Sequence, residues 1–156
     1  MEKLKLDFEL VPDSCWKINL RSILPPAHWN FIKAQTKLEQ NNTCAKCGKK
    51  TSKLDCHEVW EYDREKKVQK LVGVIGVCRD CHEVIHIGLT SLKGKEDKAS
   101  EHFMKVNNCS YAEYRKALGR ANEENALNNK VYEWQLDINY FKKYDEILDK
   151  IRKNQS

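Results

Sequence analysis

Between Cys44 and His86 the chain carries an unusual density of metal-ligating side chains. Cys44-Ala45-Lys46-Cys47 is one short cysteine pair and Cys78-Arg79-Asp80-Cys81 is another. The second runs directly into His82-Glu83-Val84-Ile85-His86, and Leu54-Asp55-Cys56-His57-Glu58-Val59 lies between the two pairs. These are more ligands than one tetrahedral site takes, so the pattern predicts two sites side by side.

Each CxxC presents two sulfurs from one tight turn, and a closed zinc site draws four ligands from two chain segments. Cys44, Cys47, Cys78 and Cys81 are therefore the expected ligands of a structural Zn²⁺. A redox dithiol or disulfides would leave the second pair unexplained. His82 and His86 are four apart on a predicted helix and share its face, so both imidazoles can reach one ion. His57, on a strand expected to pack against that helix, can supply a third nitrogen. Three protein ligands with an open position is a catalytic pattern. The competing reading makes His82 a cap on the cysteine knuckle and His86 an ordinary core or surface histidine.

His82 to His86 also matches the HExxH pattern of zinc peptidases. Here the helix is bounded by a cysteine knuckle and by Gly88, which makes a poor peptidase scaffold. His102 is the one further histidine downstream. Peptidase chemistry is set aside on those grounds.

The elements that must position these residues read as follows. Residues 1–26 are extended and irregular, and a helix is expected over 27–40, with Trp29, Ile32 and Leu38 near helical spacing. Residues 54–62 and 68–77 are expected strands, joined by the charged segment Asp63–Lys67. A short helix begins near Asp80 and ends at Gly88. Residues 89–98 read as a polar loop. Ser110 and Glu113 form a predicted capping box. Tyr114, Leu118, Ala121, Leu127, Val131 and Trp134 then continue at helical spacing, and Tyr140, Tyr144, Leu148 and Ile151 suggest a last helix. The whole is an α+β chain of one domain, residues 1–156, with a helical C-terminal elaboration over 97–154.

Composition bounds the class. Of 156 residues, 40% are hydrophobic and 33% charged, which suits a globular chain. No run of about 18 apolar residues occurs, so no membrane partner is expected. The N-terminus lacks the apolar stretch of a secretory signal, and CxxC thiols usually hold metal in reducing compartments, so a cytoplasmic location is expected. The net charge is +5, compatible with a polyanion partner. Its excess sits in residues 1–50, with nine basic against five acidic residues.

The order CxxC, His-containing strand, second strand, CxxCHxxxH resembles the HNH endonuclease family, whose members share a ββα-metal finger. Leu54 to Val59 is similar to the family's strand motif, and Cys78 to His86 to its finger helix. The resemblance covers residues 44–88. Weaker likenesses at Trp60-Glu61-Tyr62-Asp63 and Trp16-Lys17-Ile18-Asn19-Leu20-Arg21 point to a subgroup of small phage- and bacteria-associated members. It implies a finger with a four-cysteine zinc knuckle, flanked by an N-terminal helix and C-terminal helices. It also implies a metal-dependent nuclease acting on DNA or RNA, tied to phage or mobile-element biology. A homodimer or protein partner would use the helical C-terminus.

In the family, two adjacent strand residues act as metal ligand and general base. One register makes His57 the ligand and Glu58 the base; the other makes Cys56 the ligand and His57 the base. The first keeps Leu54 and Val59 at the family's apolar positions. It implies His57, His82 and His86 as ligands of a second divalent ion (Mg²⁺, Mn²⁺, Ni²⁺ or Zn²⁺), with Glu58 beside them. The family's middle Asn has no counterpart: Gly73 falls near its place and Gln69 is the nearest amide.

Overall fold

The structure, a computed structural model, describes residues 3–16 and 23–154. Lys17 to Arg21 of the weaker flank likeness lie outside the described residues, as do the side chains of Leu148 and Ile151. Helix α1 spans Pro26–Glu39 and opens on a proline, whose fixed φ and missing N–H suit a first helical turn. Strands β1 (Asp55–Asp63) and β2 (Val68–Val77) form an antiparallel hairpin running from Asp55↔Val77 to Asp63↔Val68. The Asp63 carboxylate accepts the backbone N–H of Lys66 at 3.0 Å, and Lys67 takes a positive φ of 58° to close the turn. Helix α2 (Arg79–Ile85) follows β2 after the single residue Cys78. Its next neighbours are α3 (Ile87–Leu92), α4 (Glu96–Asn107) and α5 (Tyr111–Asn128).

Successive side chains of a strand point to opposite faces, and this hairpin separates two apolar clusters accordingly. One face carries Ile75 and Val77 into a core with Leu6, Phe8, Val84, Ile85, Phe103 and Tyr114. Phe8 stacks on Phe103 with ring centroids 4.9 Å apart, and Tyr114 meets both edge-on. The other face carries Cys56, Trp60, Leu71 and Val74 against Trp29 and Ile32 of α1 and against Tyr144. Tyr144 belongs to α6 (Lys142–Asn154).

The expected hairpin, α1 and capping box are present. Ser110 Oγ accepts the Glu113 N–H at 3.2 Å, and the Glu113 carboxylate accepts the Ser110 N–H at 3.3 Å. Four features differ from the sequence expectation. The first short helix ends at Ile85, with His86 as its cap, and Gly88 lies inside α3. Residues 89–98 are largely helical, because Ile87, Thr90, Ala99 and Phe103 supply buried contacts that composition alone understates. The helix after Ser110 stops at Asn128, so Val131 and Trp134 do not continue it. The C-terminal region is not wholly helical: β3 (Gln135–Asp137) adds to β2 in parallel, pairing Val68↔Gln135. The sheet order is β1-β2-β3.

Gly76 marks the tightest approach in this frame. Its N–H donates to Gln40 Oε1 at 2.8 Å, and its carbonyl accepts from Gln40 Nε2 at 2.9 Å. A Cβ there would lie 3.1 Å from Leu54 Cδ1 and 3.2 Å from Gln40 Nε2. Leu54 is buried and Gln40 is held by the same glycine, so neither can yield freely. Gly76→Ala is expected to cost about 1–3 kcal/mol, the range for overpacking. Equilibrium denaturation checks this, and an unchanged midpoint contradicts it.

Candidate metal centres

The first cluster forms where two turns meet. Cys44 and Cys47 sit in a knuckle closed by Cys44 N–H to Lys49 O at 2.8 Å and Gly48 N–H to Cys44 O at 3.0 Å. Gly48 adopts φ +79°, a conformation that disfavours any side chain. The Ala45 N–H donates to Gly76 O at 3.0 Å, which ties the knuckle to the end of β2. Cys78 precedes the first residue of α2, and Cys81 lies in its first turn. The ligand atoms of Cys44, Cys47, Cys78 and Cys81 all lie within 4.8 Å of one another. Zinc–sulfur bonds of about 2.3 Å in a tetrahedron place sulfurs about 3.8 Å apart. The Cys47 and Cys78 sulfurs are 3.7 Å apart. The donor set and its spacing therefore suit a metal ion such as zinc. All seven cysteines are free thiols.

Within the cluster Cys44 is pushed down to about 4, first because Cys81 hydrogen-bonds its sulfur. Cys81 is raised correspondingly, by that same bond and then by burial. The Cys78 N–H also points at Cys44 Sγ at 3.3 Å. His102 on α4 joins from outside, with Nε2 3.2 Å from Cys81 Sγ. Sequence reasoning noticed His102 only as a candidate peptidase ligand. Its place beside the thiols, away from the His82–His86 pair, removes the one downstream ligand a peptidase reading had.

The second cluster lies on the hairpin's α2 side. His57 on β1, His82 on α2 and His86, the residue that caps α2, bring ligand atoms within 4.8 Å of one another. Their ring centroids are 4.7–5.5 Å apart. His82 and His86 are one turn apart, with His86 N–H donating to His82 O at 3.1 Å. His57 is 4% exposed, so the pocket has a closed floor. Burial lowers the His86 pKa to about 4, with His82 and His57 adding to the fall. His82 is lowered too, by burial first and by His57 second. Both rings are thus held neutral, the form that binds metal.

Carboxylates flank two of the three rings. Asp55 Oδ2 lies 3.1 Å from His82 Nδ1 and 3.2 Å from Arg79 Nε. Glu9, from the N-terminal segment, contacts His57 Nε2 through Oε2. Glu9 was missed in the sequence, although the alternation Leu4, Leu6, Phe8, Leu10 was visible there. That alternation buries the apolar side chains in the α2-side core and leaves Glu9 on the complementary side.

Glu58 is not where the sequence expectation put it. Strand alternation places it on the face opposite His57, shared with Cys56, Trp60 and its cross-strand partner Val74. Its charge is felt by Cys56 and Tyr62. Cys56 is likewise turned toward α1: burial pushes its thiol up to about 11, tempered by a hydrogen bond with Thr36. Gln69 pairs with Tyr62 at the far end of the hairpin and Gly73 pairs with Val59, so neither brings an amide to the histidines.

Among the described residues, no helix is long and apolar enough to cross a membrane. Comparison with protein-family models, with curated proteins and with solved structures finds no match.

The thiol geometry predicts that purified protein carries about one equivalent of zinc. Cys44→Ser and Cys81→Ser should lose it and unfold or precipitate, while Cys15→Ser and Cys109→Ser should keep it. Metal analysis beside thermal melting decides: full zinc and an unshifted melting temperature in both knuckle variants would remove the assignment. For the second cluster, Cys56→Ala should leave the affinity for a titrated divalent ion unchanged, since its sulfur faces α1. A large loss in calorimetry would instead make Cys56 a ligand.

Proposed function

We propose that this chain is a metal-dependent HNH-type endonuclease that hydrolyses phosphodiester bonds in DNA. The observation that carries the reading is the meeting of His57 from a hairpin strand with His82 from the following helix and His86 at its cap, next to a four-thiol knuckle. Strand, strand and helix follow one another in the order of a ββα-metal finger. In this reading Cys44, Cys47, Cys78 and Cys81 hold a structural zinc, and the three histidines hold a second divalent ion. The location is cytoplasmic, in a phage or mobile-element setting.

A divalent cation at the three histidines would supply charge neutralisation at the phosphoryl and leaving oxygens. The chain's own groups do the rest. Asp55 accepts from His82 and so orients that ring. The same carboxylate holds Arg79 by its Nε, and Arg79 is 75% exposed. The remaining donors of its guanidinium suit a phosphate at the mouth of the site. The half-buried, neutral rings of His82 and His86 keep their ligating lone pairs available at ordinary pH.

One specific observation favours a second reading, a nucleic-acid or protein-binding module that has kept the fold without the chemistry. Glu58 faces away from the histidines and Gln69 lies at the far end of the hairpin, so neither the expected base nor the family's amide is in place.

A plasmid-cleavage assay separates the two. The wild type should nick or linearise supercoiled DNA with Mg²⁺, Mn²⁺ or Ni²⁺ and stop with chelator. His57→Ala, His82→Ala and His86→Ala should each lower cleavage by about 10²-fold or more, the scale of losing a group that acts in the transition state. Their zinc content should be unchanged. Glu58→Gln should leave most cleavage in place. A wild type that cleaves neither DNA nor RNA, single- or double-stranded, with any of these metals leaves the binding module as the function.

A further inference from the structure

We infer that Glu9 is the carboxylate that orients His57, making the N-terminal segment a working part of the histidine site. The inference rests on the reading that the three histidines hold a divalent cation.

Three sets of contacts bring Glu9 there. Its backbone N–H donates to Ile85 O at 2.9 Å, at the end of α2 and beside His86. Its neighbours Leu6 and Phe8 are buried in the main core. Further back, Asn107 at the end of α4 clamps the same segment: Oδ1 accepts from Lys5 N and Leu6 N at 2.9 and 3.0 Å, and Nδ2 donates to Leu6 O at 2.7 Å. A segment held at both ends is poised to present one side chain in a fixed place. Glu9 uses that placement on His57 Nε2.

A neutral imidazole carries one N–H and one lone pair. A carboxylate at Nε2 can only accept, so it keeps the proton on Nε2 and leaves the Nδ1 lone pair for the cation. Asp55 acts in the mirrored sense on His82, where it sits at Nδ1 and leaves Nε2. Two rings from two elements are thus set in opposite tautomers by two carboxylates, each from outside the ligand set. Such partners fix ring orientation and raise ligand basicity, and their loss typically weakens metal binding about 10–100-fold. Glu9 is a positioning residue in this scheme.

The tautomers can be read directly. Long-range ¹H–¹⁵N correlation spectra of the full chain, with the four-thiol zinc retained and loosely held ions removed, should show His57 protonated at Nε2 and His82 at Nδ1. Glu9→Gln should scramble the His57 tautomer and spare His82, and Asp55→Asn should do the reverse. Calorimetric titration with Ni²⁺ should show Glu9→Gln binding about 10–100-fold more weakly than wild type, with zinc content and melting temperature unchanged. A wild-type His57 protonated at Nδ1 overturns the inference, as does a Glu9→Gln variant that binds Ni²⁺ like wild type. A wild type that binds no Ni²⁺ overturns the cation reading instead, while the tautomer of His57 still judges Glu9.

Discussion

The convergence of four thiols on one point is the constraint from which the rest of the site follows. β2 ends at Val77 and α2 begins at Arg79, so Cys78 is the whole connection between sheet and helix. Fixing Cys78 and Cys81 against the Cys44–Cys47 knuckle therefore fixes the direction in which α2 leaves the sheet. His82 follows Cys81 immediately, and His86 lies one turn further on. Their position over β1 is inherited from the thiol cluster. The backbone bond from Ala45 to Gly76 and the two bonds between Gln40 and Gly76 add the same restraint from the α1 side. A metal ion at the thiols would tie this junction and let a seven-residue helix hold its place where local propensity would not.

The second constraint is strand alternation. It separates residues adjacent in sequence by the thickness of the sheet. Cys56, His57 and Glu58 look like one cluster of ligands on paper, yet only His57 turns toward α2. Cys56 and Glu58 join the layer between the sheet and α1, where the raised thiol of Cys56 reflects burial rather than metal chemistry. The carboxylate that reaches His57 comes instead from Glu9, 48 positions earlier in the chain. The N-terminal segment uses the same period of two, with its apolar positions closing the core and Glu9 left to the site.

What was legible in the sequence had a local cause. The two CxxC knuckles, the His82–His86 spacing, the hairpin and the Ser110 capping box all depend on residues within a few positions of each other, and each is present. The meeting of His57 with His82 and His86 was legible as well, because a hairpin followed at once by a helix leaves few ways to pack. Long-range contacts were less so. β3 pairs with β2 through three short, mostly exposed residues, which have no strand signature of their own. Helix α3 forms in a polar-looking stretch because Ile87 and Thr90 reach a core assembled from distant segments, and Thr90 Oγ1 donates back to Glu83 O at 2.6 Å. The facing of Glu58 was legible in principle from alternation alone; the family likeness drew it toward His57 despite that rule.

The charge pattern around the histidines also follows from their packing. Protonated rings at centroid separations of 4.7–5.5 Å repel one another, and burial adds to the cost of charging them. The pocket therefore keeps His82 and His86 neutral. Neutral rings so close have lone pairs to direct and few protons to share. Glu9 and Asp55 each lie against one ring nitrogen, of His57 and His82 respectively, which in the proposed scheme leaves the other nitrogen of each ring for a cation. Arg79 in turn offsets part of the Asp55 charge. Three rings flanked by two carboxylates form a donor set that could hold a small cation. The thiol and histidine clusters can stand side by side. The thiol cluster draws on four cysteines and the histidine cluster on three rings, and no residue belongs to both.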